Sequence, residues 1–381
     1  MRPLPLLCAL LVAGAALAGC ASPADTRGPT SSEQRATTYR GMGFDGETWP
    51  RLDGQTLTIL DHGAFGAFEE AKALFENLTG AKVEHLEAAD SGSALNRAVR
   101  ERGAPTFDVI YGIDNVLWTK ALQEGIFEPY TPLLSGRVAS EHVFFTQSPW
   151  PATPVDHGYI AVNVDTRRLG ADVTSLDDLR AHAREFVTQD PRTSTPGLGF
   201  LLVTIAAYGE PGWQSYWSGL FENGLLVTSG WTEAYEQHFS GGYGVDYGGR
   251  GDRAIVTSYT TSPAYEAFFG REPERLATPL VADGATFRQV ETMGIAKGTK
   301  NLPAAQAWIE FTLTDEFQAL LAPGNAVYPV VPGVGTNETF GGVDPAPGSF
   351  APAELDPATI GANLERWLRE WTDLCERHDC A

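Results

Sequence analysis

The chain has 381 residues, 43% hydrophobic and 20% charged, the make-up of a folded protein of about two domains rather than a disordered or membrane-spanning one. Its 27 basic residues against 48 acidic ones give a net charge of −21, and so acidic a surface argues against a nucleic-acid partner. A cationic ligand remains compatible with it.

Arg2 precedes an apolar run from Leu4 to Ala18 that ends Leu17-Ala18-Gly19-Cys20. A positive start, a short apolar stretch and small residues at the end make 1–19 a signal peptide, too short for a lasting transmembrane helix. The cysteine directly after Leu-Ala-Gly resembles the lipobox of bacterial lipoproteins. Cys20 is then the lipidated first residue of the mature chain, held to the membrane outside the cytoplasm. Cys8 is lost with the signal. Cys375 and Cys380 can close a small disulfide in an oxidising compartment, which leaves no catalytic thiol.

Residues 20–50 carry Ser, Thr, Gly, Pro and charge without periodicity and read as a tether. The fold then begins with a strand, Gln55 to Leu60, a loop at Asp61 to Phe65, a helix from about Ala67 to Leu78 and a second strand, Lys82 to Leu86. Asp90 or Ser91 caps the next helix, Leu95 to Arg102. Phe107 to Gly112 is a short continuous apolar strand of the parallel-sheet kind, and Ile113-Asp114-Asn115 forms the loop after it. In open α/β sheets ligands bind at the carboxyl ends of strands. His62, Asp90 and Asp114 all stand at such ends.

Val155 to Gly158 reads as a first crossing between two halves, followed by the strand Tyr159 to Val164 and a helix at Asp177 to Glu185. The apolar run Phe200 to Tyr208 follows the turn at Gln189 to Gly199. Gly212 to Phe221 is an amphipathic helix whose Trp213, Tyr216, Trp217 and Leu220 fall at core spacing. Another helix opens at Ser229 to Tyr235, Ser240 to Asp252 is a glycine-rich loop, and Ala254 to Tyr259 is a strand. Thr286 to Lys297 returns as a strand, helices follow at Pro303 to Phe311 and Asp315 to Leu321, and Asn325 to Val330 crosses again. A helix from about Asp356 to Leu374 closes the body.

The turn Gln189-Asp190-Pro191-Arg192-Thr193-Ser194-Thr195-Pro196-Gly197-Leu198-Gly199 organises this chain. Ser194 or Thr195 suits the N-cap and Pro196 the first helical position, so the plain reading is a capped helix. The same free N–H groups and hydroxyls also suit a phosphate, carboxylate or hydroxyl group. This turn, together with Gly230-Trp231-Thr232-Glu233-Ala234-Tyr235, Ser258-Tyr259-Thr260-Thr261-Ser262-Pro263-Ala264-Tyr265 and Asn325 with Tyr328-Pro329-Val330, resembles the thiamine-binding substrate-binding proteins of bacterial ABC importers. Gly112 to Asn115 and Leu95-Asn96-Arg97 extend the likeness, which runs from Leu57 to Trp371.

The resemblance implies an α/β fold of the two-lobed type II periplasmic binding-protein class, with the ligand caught between lobes by hinge closure. The lobes are expected at 51–156 with 289–325 and at 157–288 with 326–381. The family's ligand contacts fall on Asp90, Ser194, Trp231, Tyr259 and Tyr265. The family's tyrosine after the first strand is His62 here, a nearby tryptophan has no counterpart, and the tryptophan before Tyr-Pro is Ala326. Phe65 and Trp118 are the aromatics offered in their place, and Thr195 and Asp114 complete the candidate set.

A flat cation needs aromatic faces, an acid and donors for its polar end. Trp231, Tyr259 and Tyr265 supply the first, Asp90 the second, and Ser194 with its helix start the third. The expected protein is a monomeric receptor, without cofactor or metal, that hands thiamine or its phosphates to an ABC permease and ATPase. Rival readings are a binder of polyamines or iron(III), and a lipid-anchored hydrolase. The seven histidines are scattered without metal spacing, and neither Gly-x-Ser-x-Gly nor His-Glu-x-x-His occurs.

Overall fold

A computed structural model describes residues 48–242, 251–268, 277–341 and 348–380. The signal peptide, Cys20 and nearly all of the tether lie outside these residues, as does most of the glycine-rich loop. The first half opens with β1 (Thr56–Asp61), α1 (Phe68–Thr79), β2 (Lys82–Glu87), α2 (Ser91–Glu101) and β3 (Val109–Asp114), the three strands pairing in parallel in the order β2-β1-β3. α1 buries Phe68, Ala71 and Phe75 and stops at Gly80, whose positive φ of 77° turns the chain into β2. The third strand lies two residues later than the sequence predicts. Asp108 explains the delay. Its side chain accepts from Thr58 N–H and Thr299 Oγ1, so Phe107-Asp108 is an anchoring turn and Asp114 belongs to the strand rather than to a loop.

Two long strands join the halves. β4 (Thr153–Val164) is buried throughout its length, and β9 (Phe287–Ile295) runs antiparallel to it and to β3. Beyond β4 the second half continues with β7 (Ile255–Tyr259), β5 (Phe186–Gln189) and β6 (Leu226–Thr228), the last three parallel to one another. The short β8 (Thr278–Pro279) and β10 (Tyr328–Pro329) also pair with β4. The continuous path β2-β1-β3-β9-β4-β7-β5-β6 is therefore a curled sheet with a separate core at each end.

Leu57, Phe75, Tyr111, Trp308 and Phe317 fill the first core, and Phe186, Phe200, Trp217, Leu220 and Trp371 the second. α4 (Thr195–Glu222) leaves helical geometry at Gly209, Glu210 and Pro211, as the proline dictates, so residues 195–208 and 212–222 act as two helices. The aromatics expected in the core are there: Trp213, Tyr216 and Trp217 are all fully enclosed. The terminal helix α8 (Pro357–Arg377) starts on the Asp356 carboxylate and sets Trp371 against Trp217. Cys375 and Cys380 form a disulfide at its end.

Candidate functional site

Alternation along β4 and β9 places Asp156 opposite Glu291 on one face, with Gln289 two residues along. Around these three a hydrogen-bonded group assembles from both halves. The His62 ring meets Glu291 at 3.1 Å, Gln289 donates to Asp114 Oδ2 at 3.2 Å, and the Tyr259 hydroxyl donates to Gln289 Oε1 at 3.3 Å. Tyr111 donates its phenol to Asp156 and receives Asn325 Nδ2 at 3.2 Å, while Asn325 Oδ1 accepts from Ala67 N–H. Gly112 makes room for this. Its φ is +93°, and a Cβ there would stand 2.7 Å from the His62 ring.

Charge is unevenly shared in the group. Burial alone would lower the His62 pKa, but Glu291, with Asp61 and Asp156 behind it, raises it to about 9, so the imidazole is cationic at neutral pH. Burial would raise Glu291, and His62 together with the bond from Asp156 holds it below its ordinary value. Burial and the Glu291 charge push Asp156 well above the usual carboxylate range, so it keeps a proton. Asp114 is pushed by burial up to about 6, against the pull of the Leu117 and Val116 N–H groups. At pH 7 the ionised Glu291 and Asp114 outnumber the one cation, His62. The group is net anionic.

A second set of residues adjoins it from the far half. Trp231 stacks on the buried Tyr235 at 4.7 Å and donates Nε1–H to Ser258 Oγ, which meets Ser262 Oγ, which in turn accepts from Tyr259 N–H. Ser194 is the N-cap residue of α4, but its buried hydroxyl makes no cap bond and has no partner among the described residues. Thr193 donates to Ser229 O and ties this turn to the loop before Trp231. Arg192 grips Asp190 and lies over Trp371, a structural role that sequence reasoning did not separate from the functional one.

His62, Asp114 and Tyr259 thus share one hydrogen-bonded group, Trp231 reaches it through two serines, and Ser194 with the half-buried Thr195 borders Trp231's loop. Asp90 makes no side-chain bond to these residues; its carboxylate caps α2 through Ser93 N–H at 2.7 Å. Tyr265, on α5 (Ser262–Phe268), donates to Pro323 O of α7 (Asp315–Asn325). Neither aromatic offered as a replacement wall is free to serve: Trp118 is enclosed by Phe127, Phe144 and Phe145, and Phe65 is buried against Tyr111. Gln289, Glu291 and Asp156 were missed. For Gln289 and Glu291 the signal is their spacing of two in the returning strand, which puts both on one face.

A sequence profile of the bacterial extracellular solute-binding proteins matches residues 62–319. The chain belongs to that family. Its members bind solutes rather than transform them, and they work outside the cytoplasm. The "Thiamine-binding periplasmic protein" of Escherichia coli K12 is 31% identical over 340 residues, 87% of this chain and 96% of that one. A solved structure titled "Periplasmic thiamin binding protein" superposes with a TM-score of 0.69 at 29% identity, covering 84% and 96% of the two chains. A ferric binding protein from Campylobacter jejuni, 17% identical, superposes at 0.67 over 84% and 99% of the chains and shares the fold. The resemblance expected from the sequence and the two-lobed type II fold are both borne out.

Proposed function

We propose that this solute-binding protein captures thiamine or its phosphate esters between lobes 51–156 with 289–325 and 157–288 with 326–381. It passes them, as a monomer, to an ABC permease and ATPase. The observation that carries the reading is the net anionic group of Glu291 and Asp114, to which the Tyr259 hydroxyl is joined through Gln289 and Trp231 through Ser258 and Ser262. A thiazolium gains from the carboxylates and from each desolvated ring face. The unpartnered Ser194 hydroxyl and the N–H groups of α4 suit the ligand's hydroxyl or phosphate end. The named functions of the relatives point the same way. Lipidation of Cys20 holds the receptor at the membrane, and Cys20→Ser is expected to release it into the soluble fraction.

Calorimetry with thiamine, its monophosphate and its diphosphate tests the proposal. One saturable site for at least one of the three is expected, with quenching of Trp231 fluorescence and no product formed. Trp231→Ala is expected to weaken binding about two- to thirtyfold, the range of one lost cation–π contact. Absence of binding by all three compounds sinks the assignment.

A further inference from the structure

A cavity of about 510 Å³ lies on the reverse of the strands that carry the site. The alternation that turns Asp156, Gln289 and Glu291 to the front turns His157, Tyr159 and Arg288 to the back, where Tyr159 stands opposite Arg288 in the β4–β9 register. Behind them the His142, His157 and Tyr328 rings stack in series at 4.0 and 5.4 Å, and Phe350 meets Tyr159 edge-on at 5.0 Å. All six residues line the cavity.

Three observations mark it as more than a packing gap. Arg288 is half-buried, yet its guanidinium has no carboxylate partner among the described residues. Among the described residues neither histidine finds a side-chain hydrogen-bond partner, and the buried Nδ1 of each is unpartnered. Burial, reinforced by Arg288, keeps both imidazoles neutral, with His142 lowered to about 4 and His157, which also feels His142, lowered well below its ordinary value. Arg288 is thus the cation of a chamber whose lining combines these five rings with the aliphatic and proline residues of the 329–334 segment. Glu141, exposed and also part of the lining, is its acidic counterweight.

We propose that this cavity is a second ligand site, for a small planar anion whose carboxylate or phosphate is held by Arg288 and whose ring packs among Tyr159, His157 and Phe350. A guanidinium fork suits a two-oxygen anion, and a partly enclosed arginine left unpaired otherwise forgoes its strongest bonds. The site is independent of the thiamine reading.

The test is calorimetry on the full mature protein with benzoate, phenyl phosphate and inorganic phosphate as anions and benzyl alcohol as the neutral control, with and without saturating thiamine. Benzoate or phenyl phosphate is expected to bind at one saturable site in both states, and more tightly than inorganic phosphate or the alcohol. Arg288→Gln is expected to weaken that binding about tenfold or more, and Arg288→Lys to retain part of it. Histidine-labelled wild-type protein gives a reading that does not depend on a variant folding: the His142 and His157 ring resonances are expected to shift with benzoate. Failure of both aromatic anions to saturate, displacement by thiamine, equal binding of benzyl alcohol, or unmoved histidine resonances overturns the proposal.

Discussion

Asp90 shows how one carboxylate can carry two roles that a single alanine substitution confuses. It caps α2 through Ser93 N–H, and it is the acid the family resemblance offers to the ligand. Asparagine keeps an oxygen for the cap and removes the charge. Asp90→Asn is therefore expected to leave Tm unchanged and weaken thiamine binding about tenfold, whereas Asp90→Ala lowers affinity and also lowers Tm by roughly 2 °C. Equal affinities for Asp90→Asn and wild type in calorimetry would confine Asp90 to capping. His62 gives a pH signature of its own. Its folded pKa is raised to about 9, above the unfolded value near 6.5. The stabilisation from its Glu291 pair is complete below that lower value and is lost as pH rises through about 9. Melting curves of wild type and His62→Gln are expected to differ by roughly 5 °C at pH 7 and to converge towards pH 10. A gap that stays constant to pH 10 would mean that His62 carries no proton at neutral pH.

Two serines at helix starts look alike in sequence and differ in what their oxygens do. Ser175 accepts from Asp178 N–H at 3.1 Å, while the Ser194 hydroxyl meets no donor among the described residues. Ser175→Ala is expected to cost about 1 kcal/mol and Ser194→Ala less than about 0.5 kcal/mol in denaturant unfolding, with thiamine affinity falling only for Ser194→Ala. A Ser194→Ala protein as destabilised as Ser175→Ala would make the hydroxyl a cap after all. The same contrast explains what the sequence could tell. Periodicity placed most of the elements it named to within a few residues, because Phe75, Trp217 and Trp371 bury at spacings that local pattern reveals, but it started β4 six residues late and gave no sign of the short β6 or of the helix Trp118–Glu124. Motif likeness brought out Trp231 and Tyr259. Glu291, Gln289 and Asp156 stayed hidden because the register of β9 against β4 decides which of their side chains share a face, and register depends on residues far apart in the chain. Asp114 was misplaced in a loop because the Asp108 anchor that delays β3 depends on partners at Thr58 and Thr299.

Across the whole molecule, β4 and β9 make the halves continuous, so closure about a ligand must bend those strands while other contacts between the halves form or break. Tyr265 makes a bond that bridges the halves. It belongs to α5, beside the second half's β7, and its hydroxyl donates at 3.0 Å to Pro323 O on α7, whose Phe317 and Leu321 lie in the first core. Around that bond Ala264, Ala322, Tyr328 and Phe340 form a small apolar cluster. A ligand shifts an equilibrium between open and closed forms only by its preference for one of them, so a bond present in the closed form alone adds to affinity without adding to the stability of either half. Tyr265→Phe keeps the ring in the cluster and removes the donor. Loss of about 1 kcal/mol from the closed form is expected to weaken thiamine binding about fivefold, mainly through faster release, with Tm of the ligand-free protein unchanged. Stopped-flow release and calorimetry measure the two effects together. A lower Tm with unaltered release would place the bond within a rigid body, and the hinge would then have to turn elsewhere.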